Sequence, residues 1–195
     1  MTSIPESWIE RLHPSPLVRR FASRLAQASL GKPIIDVACG TGRNAFVFSQ
    51  LGCSVTCLDK NLTPIRSEQD RLQHTYFKEA SSRLALHQMD LRSDPWPFSE
   101  AAVGGIINVH FLLPSLFPFF ESSLAEHAYL LLETVPGHGG NYLELPEAGR
   151  LRAAFEKSFV FEFYRERPAG PRSLQRVTVQ LLARRNRAEL TNQSM

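Results

Sequence analysis

The chain has 195 residues, 43% of them hydrophobic and 21% charged, the balance of a globular protein large enough to bury a sizeable core. Its net charge of +3 comes partly from Arg184, Arg185 and Arg187 near the end, so it does not argue for a nucleic-acid partner. The longest apolar stretch, Val103 to Phe120, is interrupted by Asn108, His110 and two prolines, which excludes a membrane span.

Met1 to Glu10 shows no charged cap followed by an apolar core, so no signal peptide is expected and a cytoplasmic location is. Cys39, Cys53 and Cys57 are an odd set, read as reduced thiols. Cys53 and Cys57 would share one face of a strand, but no Cys or His follows at zinc-finger spacing, so no metal site is expected.

The elements alternate along the chain. A helix is expected from Pro16 to Ser29, a strand from Pro33 to Ala38, and a helix from Ala45 to Leu51. Cys53 to Leu58, rich in β-branched residues and cysteine, reads as a second strand,. A polar amphipathic helix from Thr63 to Lys78 and a third strand from Leu84 to Met89 follow. Ile106 to Val109 is a fourth strand, Leu116 to Glu126 a helix, Tyr129 to Thr134 a fifth strand, and Pro146 to Phe155 a helix. Phe159 to Tyr164 and Leu174 to Ala183 are separated by too little chain for a helical crossover, so they must pair antiparallel,. The expected fold is therefore α/β. It is a Rossmann-like, doubly wound sheet of seven strands, mostly parallel, ending in an antiparallel hairpin and carrying helices on both faces. One domain is expected over 1–195, with a helical cap at 1–31 and a flexible tail at 184–195.

The chemistry gathers at strand ends. Ile34-Ile35-Asp36-Val37-Ala38-Cys39-Gly40-Thr41-Gly42-Arg43-Asn44-Ala45 joins an apolar strand to a helix through a glycine turn. Gly40 and Gly42 let the backbone take angles closed to other residues and approach a ligand without a Cβ in the way. Asp59 closes the second strand about 20 positions on, where a carboxylate can accept from both ribose hydroxyls,. Asp90 closes the third and can accept from an exocyclic amine, and Asp36 before the turn could hold an ammonium. Each alone has a bland reading: a loop glycine, a helix cap or a turn former. Together they suit a ligand with a nucleoside and a positive charge, and suit a pyrophosphate poorly.

The stretch Asp36 to Ala45 resembles the first motif of class I S-adenosylmethionine-dependent methyltransferases, and is most like the small tellurite-resistance-type branch, where Arg or Arg-Asn follows the second glycine. Ser15 to Phe21, Leu116-Phe117 and Leu131-Leu132-Glu133-Thr134 are similar to later and flanking elements of such proteins. The resemblance implies S-adenosylmethionine as cofactor, with Gly40 and Gly42 under its methionine part, Asp36 near its amino group, Asp59 on the ribose, and Asp90 with the Leu91 backbone at the adenine. Ala38, Thr41, Asn44, Lys60 and Asn108 complete the expected cofactor contacts. Arg43 either pairs with the methionine carboxylate or is a solvated residue of the first helical turn, where a cation opposes the helix dipole.

The acceptor side is less legible. Amino-methylating nucleic-acid enzymes carry Asp/Asn-Pro-Pro-aromatic where this chain has Asn108-Val109-His110-Phe111, so methylation of a base amine is not expected; with no added recognition domain expected either, a small-molecule acceptor is. His110 is either a general base or a structurally bonded histidine. Phe111, Leu112 and Leu113 would make the pocket apolar, and Leu113-Pro114 departs from the polar or basic pair of the resembling proteins. His138 and Tyr142 sit in or beside a glycine-rich loop that could cover the acceptor,, and Glu133 and Thr134 could face it. Two further readings stand beside methyl transfer. Gly40-x-Gly42-x-x-Ala45 with Asp59 formally fits an NAD-type oxidoreductase,, and the departure at Leu113-Pro114 leaves room for a cofactor-binding scaffold without catalysis.

Overall fold

The structure, a computed structural model, describes residues 12–73, 78–136 and 141–186. Its strands are β1 (Ile34–Val37), β2 (Val55–Asp59), β3 (Leu84–Gln88), β4 (Val103–Val109), β5 (Leu124–Glu133), β6 (Phe159–Pro168) and β7 (Val177–Arg185). The helices are α1 (Pro16–Ala28), α2 (Ala45–Gln50), α3 (Thr63–Gln73), α4 (Lys78–Ser81), α5 (Phe117–Ser123) and α6 (Arg150–Phe155). The sheet runs β3-β2-β1-β4-β5-β7-β6. All pairings from β3 to β5 are parallel, and β7 is antiparallel to both its neighbours. The doubly wound sheet with a closing hairpin is as the alternation of elements implied.

Strand order reverses between β1 and β4, and a crevice opens there at the carboxyl ends. Every residue of these two strands is buried, which is why they read as continuous apolar runs instead of an alternation. One apolar core, with Leu25, Phe46, Ile65 and Leu131, lies under α1 to α3. A second, with Val37, Leu58, Phe120, Leu151 and Phe155, lies on the opposite face. Each core fixes one wall of the crevice.

Several boundaries differ from expectation, each for a physical reason. β4 starts three residues early at Val103 because Gly104 and Gly105 are the point where α1 presses on the sheet. A Cβ on Gly104 would fall 2.6 Å from the Ser29 carbonyl oxygen, and one on Gly105 would fall 2.5 Å from a Leu25 methyl. The helix expected to reach Glu126 stops at Ser123. Leu124 pairs with Val103 instead, and His127 at φ +65° re-aims the strand before Tyr129,. The helix expected from Pro146 begins only at Arg150, after Gly149 at φ +76°. β6 runs on to Pro168 and β7 holds Arg184 and Arg185; residues 187–195 lie outside the described residues. The long helix expected over Thr63–Lys78 is described as α3 and α4, residues 74–77 lying outside the described set.

Candidate functional site

The glycine turn is built by its own backbone. Ala38 leaves β1 at φ +55°, Gly40 follows at +56° and Gly42 at +76°, and the Gly42 N–H donates to the Cys39 carbonyl at 2.8 Å. The two glycines do different work. A Cβ on Gly42 would lie 2.5 Å from Ile65 Cδ1, so this glycine lets the turn pack on α3; a Cβ on Gly40 would meet nothing within 4 Å, so that position faces open space. Thr41 is exposed between them.

The carboxylates brace this turn. Asp59 Oδ2 accepts from the Gly40 N–H at 2.9 Å and Oδ1 from the Asn61 N–H at 3.0 Å. A carboxylate has about four lone-pair sites, so both ribose hydroxyls can still be received. Asp36 is 1% exposed and accepts from the Ala45 N–H at 3.1 Å. Burial pushes its carboxyl up to about 7, against the Ala45 hydrogen bond and the Arg43 charge, with Asp59 adding to the rise. A half-neutral carboxyl beside the turn is a place where a ligand ammonium would restore the charge. Asp90 is exposed, and its Oδ1 accepts from the Arg92 N–H at 2.9 Å.

Asp59, Asp90, Leu91, Lys60 and Ala38 line one cavity of about 380 Å³ together with Met89, Arg92 and Phe111. The structure thus brings five of the expected cofactor residues to one place. Asn44 and Asn108 are buried, and the Asn44 side-chain oxygen accepts from the Ser15 N–H at 3.0 Å, so this residue ties α1 to the turn.

Arg43 is not a free residue of the first helical turn. Its Nη1 donates to the His13 carbonyl at 3.2 Å, and its Nη2 lies 3.2 Å from His110 Nδ1. A guanidinium can only donate, so Nδ1 is the acceptor and a neutral His110 carries its proton on Nε2. Burial lowers the His110 pKa, Glu133 raises it, and Arg43 lowers it. His110 itself sits at φ +65°, with its N–H on the Glu133 carbonyl at 2.8 Å.

Behind it stands a buried network that the sequence did not suggest. Glu133 accepts from the Ser15 hydroxyl and, at 2.7 Å, from Gln180 Nε2. Ser15 Oγ also caps α1 through the Leu17 N–H at 3.0 Å,. The sequence signal available was Ser15-Pro16, a cap followed by proline at the first helical position; its partner 118 residues away had none.

A second cavity of about 430 Å³ adjoins the first. It is walled by Phe111, Leu112, Leu113, Pro114 and Val135, with His110, Thr134, Arg92 and Glu144. Arg92 and Phe111 belong to both cavities. Arg92, Val135 and Glu144 had not been singled out from sequence. Tyr142 packs on the β6–β7 loop, where a Cβ on Gly170 would fall 2.5 Å from its ring. His138 lies outside the described residues. Among the described residues no group of three His, Cys, Asp or Glu could hold a metal ion, and no helix is long and apolar enough to cross a membrane.

The parallel sheet with its antiparallel end, and a glycine turn at the switch point, make a Rossmann-like fold like that of solved methyltransferases. Geranyl diphosphate C-methyltransferase from Streptomyces coelicolor A3(2), solved with Mg2+, geranyl diphosphate and S-adenosyl-L-homocysteine, superposes with TM-score 0.66 over 88% of this chain and 80% of that one, at 14% identity. The [4+2]-cyclase SpnF does so with TM-score 0.63 over 86% and 80%, also at 14% identity. Likeness at that identity shows the fold alone, and a cyclase among the neighbours keeps the fold from naming the reaction.

Residues 23–95 match the family model described as tellurite resistance protein TehB, which bears out the resemblance carried by the glycine turn. The ribosomal RNA small subunit methyltransferase J of Shewanella sediminis (strain HAW-EB3) is 32% identical over 90 residues, 46% of this chain and 34% of that protein. That of Tolumonas auensis (strain DSM 9187 / NBRC 110442 / TA 4) is 30% identical over 97 residues, 50% and 39%. The chain thus spans between a third and two fifths of the length of these curated relatives. It is similar to class I S-adenosylmethionine-dependent methyltransferases of the TehB type.

Proposed function

We propose that the chain is an S-adenosylmethionine-dependent methyltransferase acting on a small-molecule acceptor. The observation that carries this reading is that Asp59 and Asp90 line one cavity beside a glycine turn whose Gly40 faces open space, with Asp36 buried behind that turn. Carboxylates at the strand ends beside the turn suit a nucleoside that carries a positive charge better than a pyrophosphate, which weighs against an NAD-type oxidoreductase. Asp36 would hold the amino group, Asp59 the ribose, and Asp90 with Leu91 the adenine. Arg43 spends two of its five N–H donors on His13 and His110,, and the remaining donors could meet the cofactor carboxylate.

S-adenosylmethionine supplies a methyl group on a sulfonium, already activated for in-line displacement. The protein's part is then to hold the acceptor in line and to exclude water. The apolar walls Phe111, Leu112, Leu113 and Pro114 do the second. His110 would do the first: with Nδ1 taken by Arg43, its neutral ring offers Nε2–H to an acceptor lone pair. Service as a base would need the other tautomer, which gives up the Arg43 bond.

A second reading is favoured by the names of the curated relatives: an RNA acceptor. The measurement that separates the readings is calorimetric titration of the full chain with S-adenosylhomocysteine, with NAD, and with an RNA oligomer at two salt concentrations. Micromolar binding of S-adenosylhomocysteine, weakened tenfold or more (about 1.4 kcal/mol) by Asp59→Ala, is expected. Binding of NAD alone sinks the methyltransferase reading. Salt-sensitive RNA binding would replace the small-molecule acceptor with a nucleic acid. Labelled-methyl transfer to a broad acceptor panel then distinguishes an enzyme from a cofactor-binding scaffold.

A further inference from the structure

The acceptor cavity does not end at Leu113. Leu112, Pro114 and Glu144 also line a larger groove of about 850 Å³, running between α5 and the segment that leads into α6. That volume is in the range of cavities that hold whole small molecules, on the order of 300–1,000 Å³. Phe117 and Pro118 from α5, Leu143, Leu145 and Pro146 from the incoming segment, and Leu151 and Ala154 from α6 give it an apolar floor, with Glu144, Glu147, Arg150 and Arg176 along it. Leu143 is 65% exposed, on the wall of this groove. Arg176 stands there too. Its Nη1 donates to the Leu145 carbonyl at 3.1 Å and lies 3.6 Å from Glu147 Oε1, while its Nε is buried without a partner.

We propose that this groove holds the elongated apolar body of the methyl acceptor, whose reacting end lies at His110. The proposal rests on the methyltransferase reading and names its substrate class: an amphiphilic small molecule with an apolar chain or fused-ring body. Continuity favours this occupant over a separate partner. Leu112, Pro114 and Glu144 border both cavities, so a ligand lying along the groove can extend past them to the His110 side. Leu112 and Pro114 make one side of that junction apolar. The Arg176 guanidinium on the groove wall is a cation that an anionic oxygen of such a ligand would meet,.

The test uses straight-chain carboxylates as probes, hexanoate to decanoate, titrated into the full chain below their micellar concentrations. Affinity is expected to rise about twofold or more per added methylene. Ala154→Trp, a change on an exposed turn of α6, fills the groove and should weaken decanoate tenfold or more. Binding independent of chain length, or equal in Ala154→Trp, overturns the proposal, as does the absence of saturable binding. S-adenosylhomocysteine titrated into the same preparations reports separately on the donor site. Its failure to bind the parent chain would remove the methyltransferase reading while leaving the groove result standing as a ligand site.

Discussion

The two sides of the crevice are made differently. The proposed donor side is written in the backbone: three left-handed residues within five positions, and two carboxylates that accept from main-chain N–H groups of the turn and the helix after it. The proposed acceptor side is written in side chains from separate segments, Phe111 to Pro114 after β4, Thr134 and Val135 after β5, and Glu144 beyond them. A backbone device tolerates few substitutions because dihedral angles and N–H directions leave little freedom. An apolar wall tolerates many, since volume and hydrophobicity are enough. The donor should therefore be common to proteins with this turn, while the acceptor varies.

The sharpest break of that contrast is at Gly42. Valine there must adopt φ +76° and must also displace Ile65, whose Cδ1 and Cγ1 would lie 2.5 and 2.8 Å from its Cβ. Backbone strain and overpacking each cost about 1–3 kcal/mol, so Gly42→Val should lose about 3 kcal/mol in urea unfolding. Leu113→Val on the acceptor wall should lose less than about 1.5 kcal/mol. Equal losses at the two positions would erase the distinction.

The same contrast explains what could be read from the chain. Elements around the donor side were legible because a glycine turn, an acid at a strand end and an apolar run are local signals. Strand β4 begins at Val103, before the expected Ile106, because the need for Gly104-Gly105 comes from the Leu25 and Ser29 atoms pressing on them, which no local pattern announces. Arg43, left open between a ligand contact and solvent, is held by His13 and His110, residues 30 and 67 positions away. Glu133 is bonded to Ser15 across 118 positions. Such pairs are consequences of the fold, and no local spacing announces them.

A smaller effect tests the donor side through pH. Asp36 titrates near 7 in the folded chain, against an ordinary value of 3.8, mainly because of burial. The folded state therefore holds a proton that the unfolded state has released between those values, so this group's contribution to stability falls as pH rises from about 4 to 7. A ligand ammonium has the opposite demand, since it needs the carboxylate. S-adenosylhomocysteine affinity should thus fall as pH drops below 7, approaching tenfold per pH unit, with proton release on binding near neutrality. Calorimetry in buffers of different ionisation enthalpy measures that release. In Asp36→Asn the proton release should vanish and the pH dependence flatten; proton release surviving the substitution would assign it to another group.

The smallest effect joins the two sides. Arg43 belongs to the turn and His110 to the acceptor wall, and their 3.2 Å contact is where donor and acceptor geometry meet. The guanidinium disfavours a second positive charge and donates to the neutral ring, while burial remains the larger cause of the lowered His110 pKa. Arg43→Gln should therefore raise the His110 pKa without restoring it fully, as read from the pH titration of its imidazole proton by NMR. The stability linkage has a matching sign. A histidine held below its ordinary value makes the folded state less stable as pH falls through about 6.5, so Arg43→Gln should lessen that acid-side loss. If the His110 pKa does not move, the ring and the guanidinium are neighbours without coupling, and the acceptor wall is set independently of the turn.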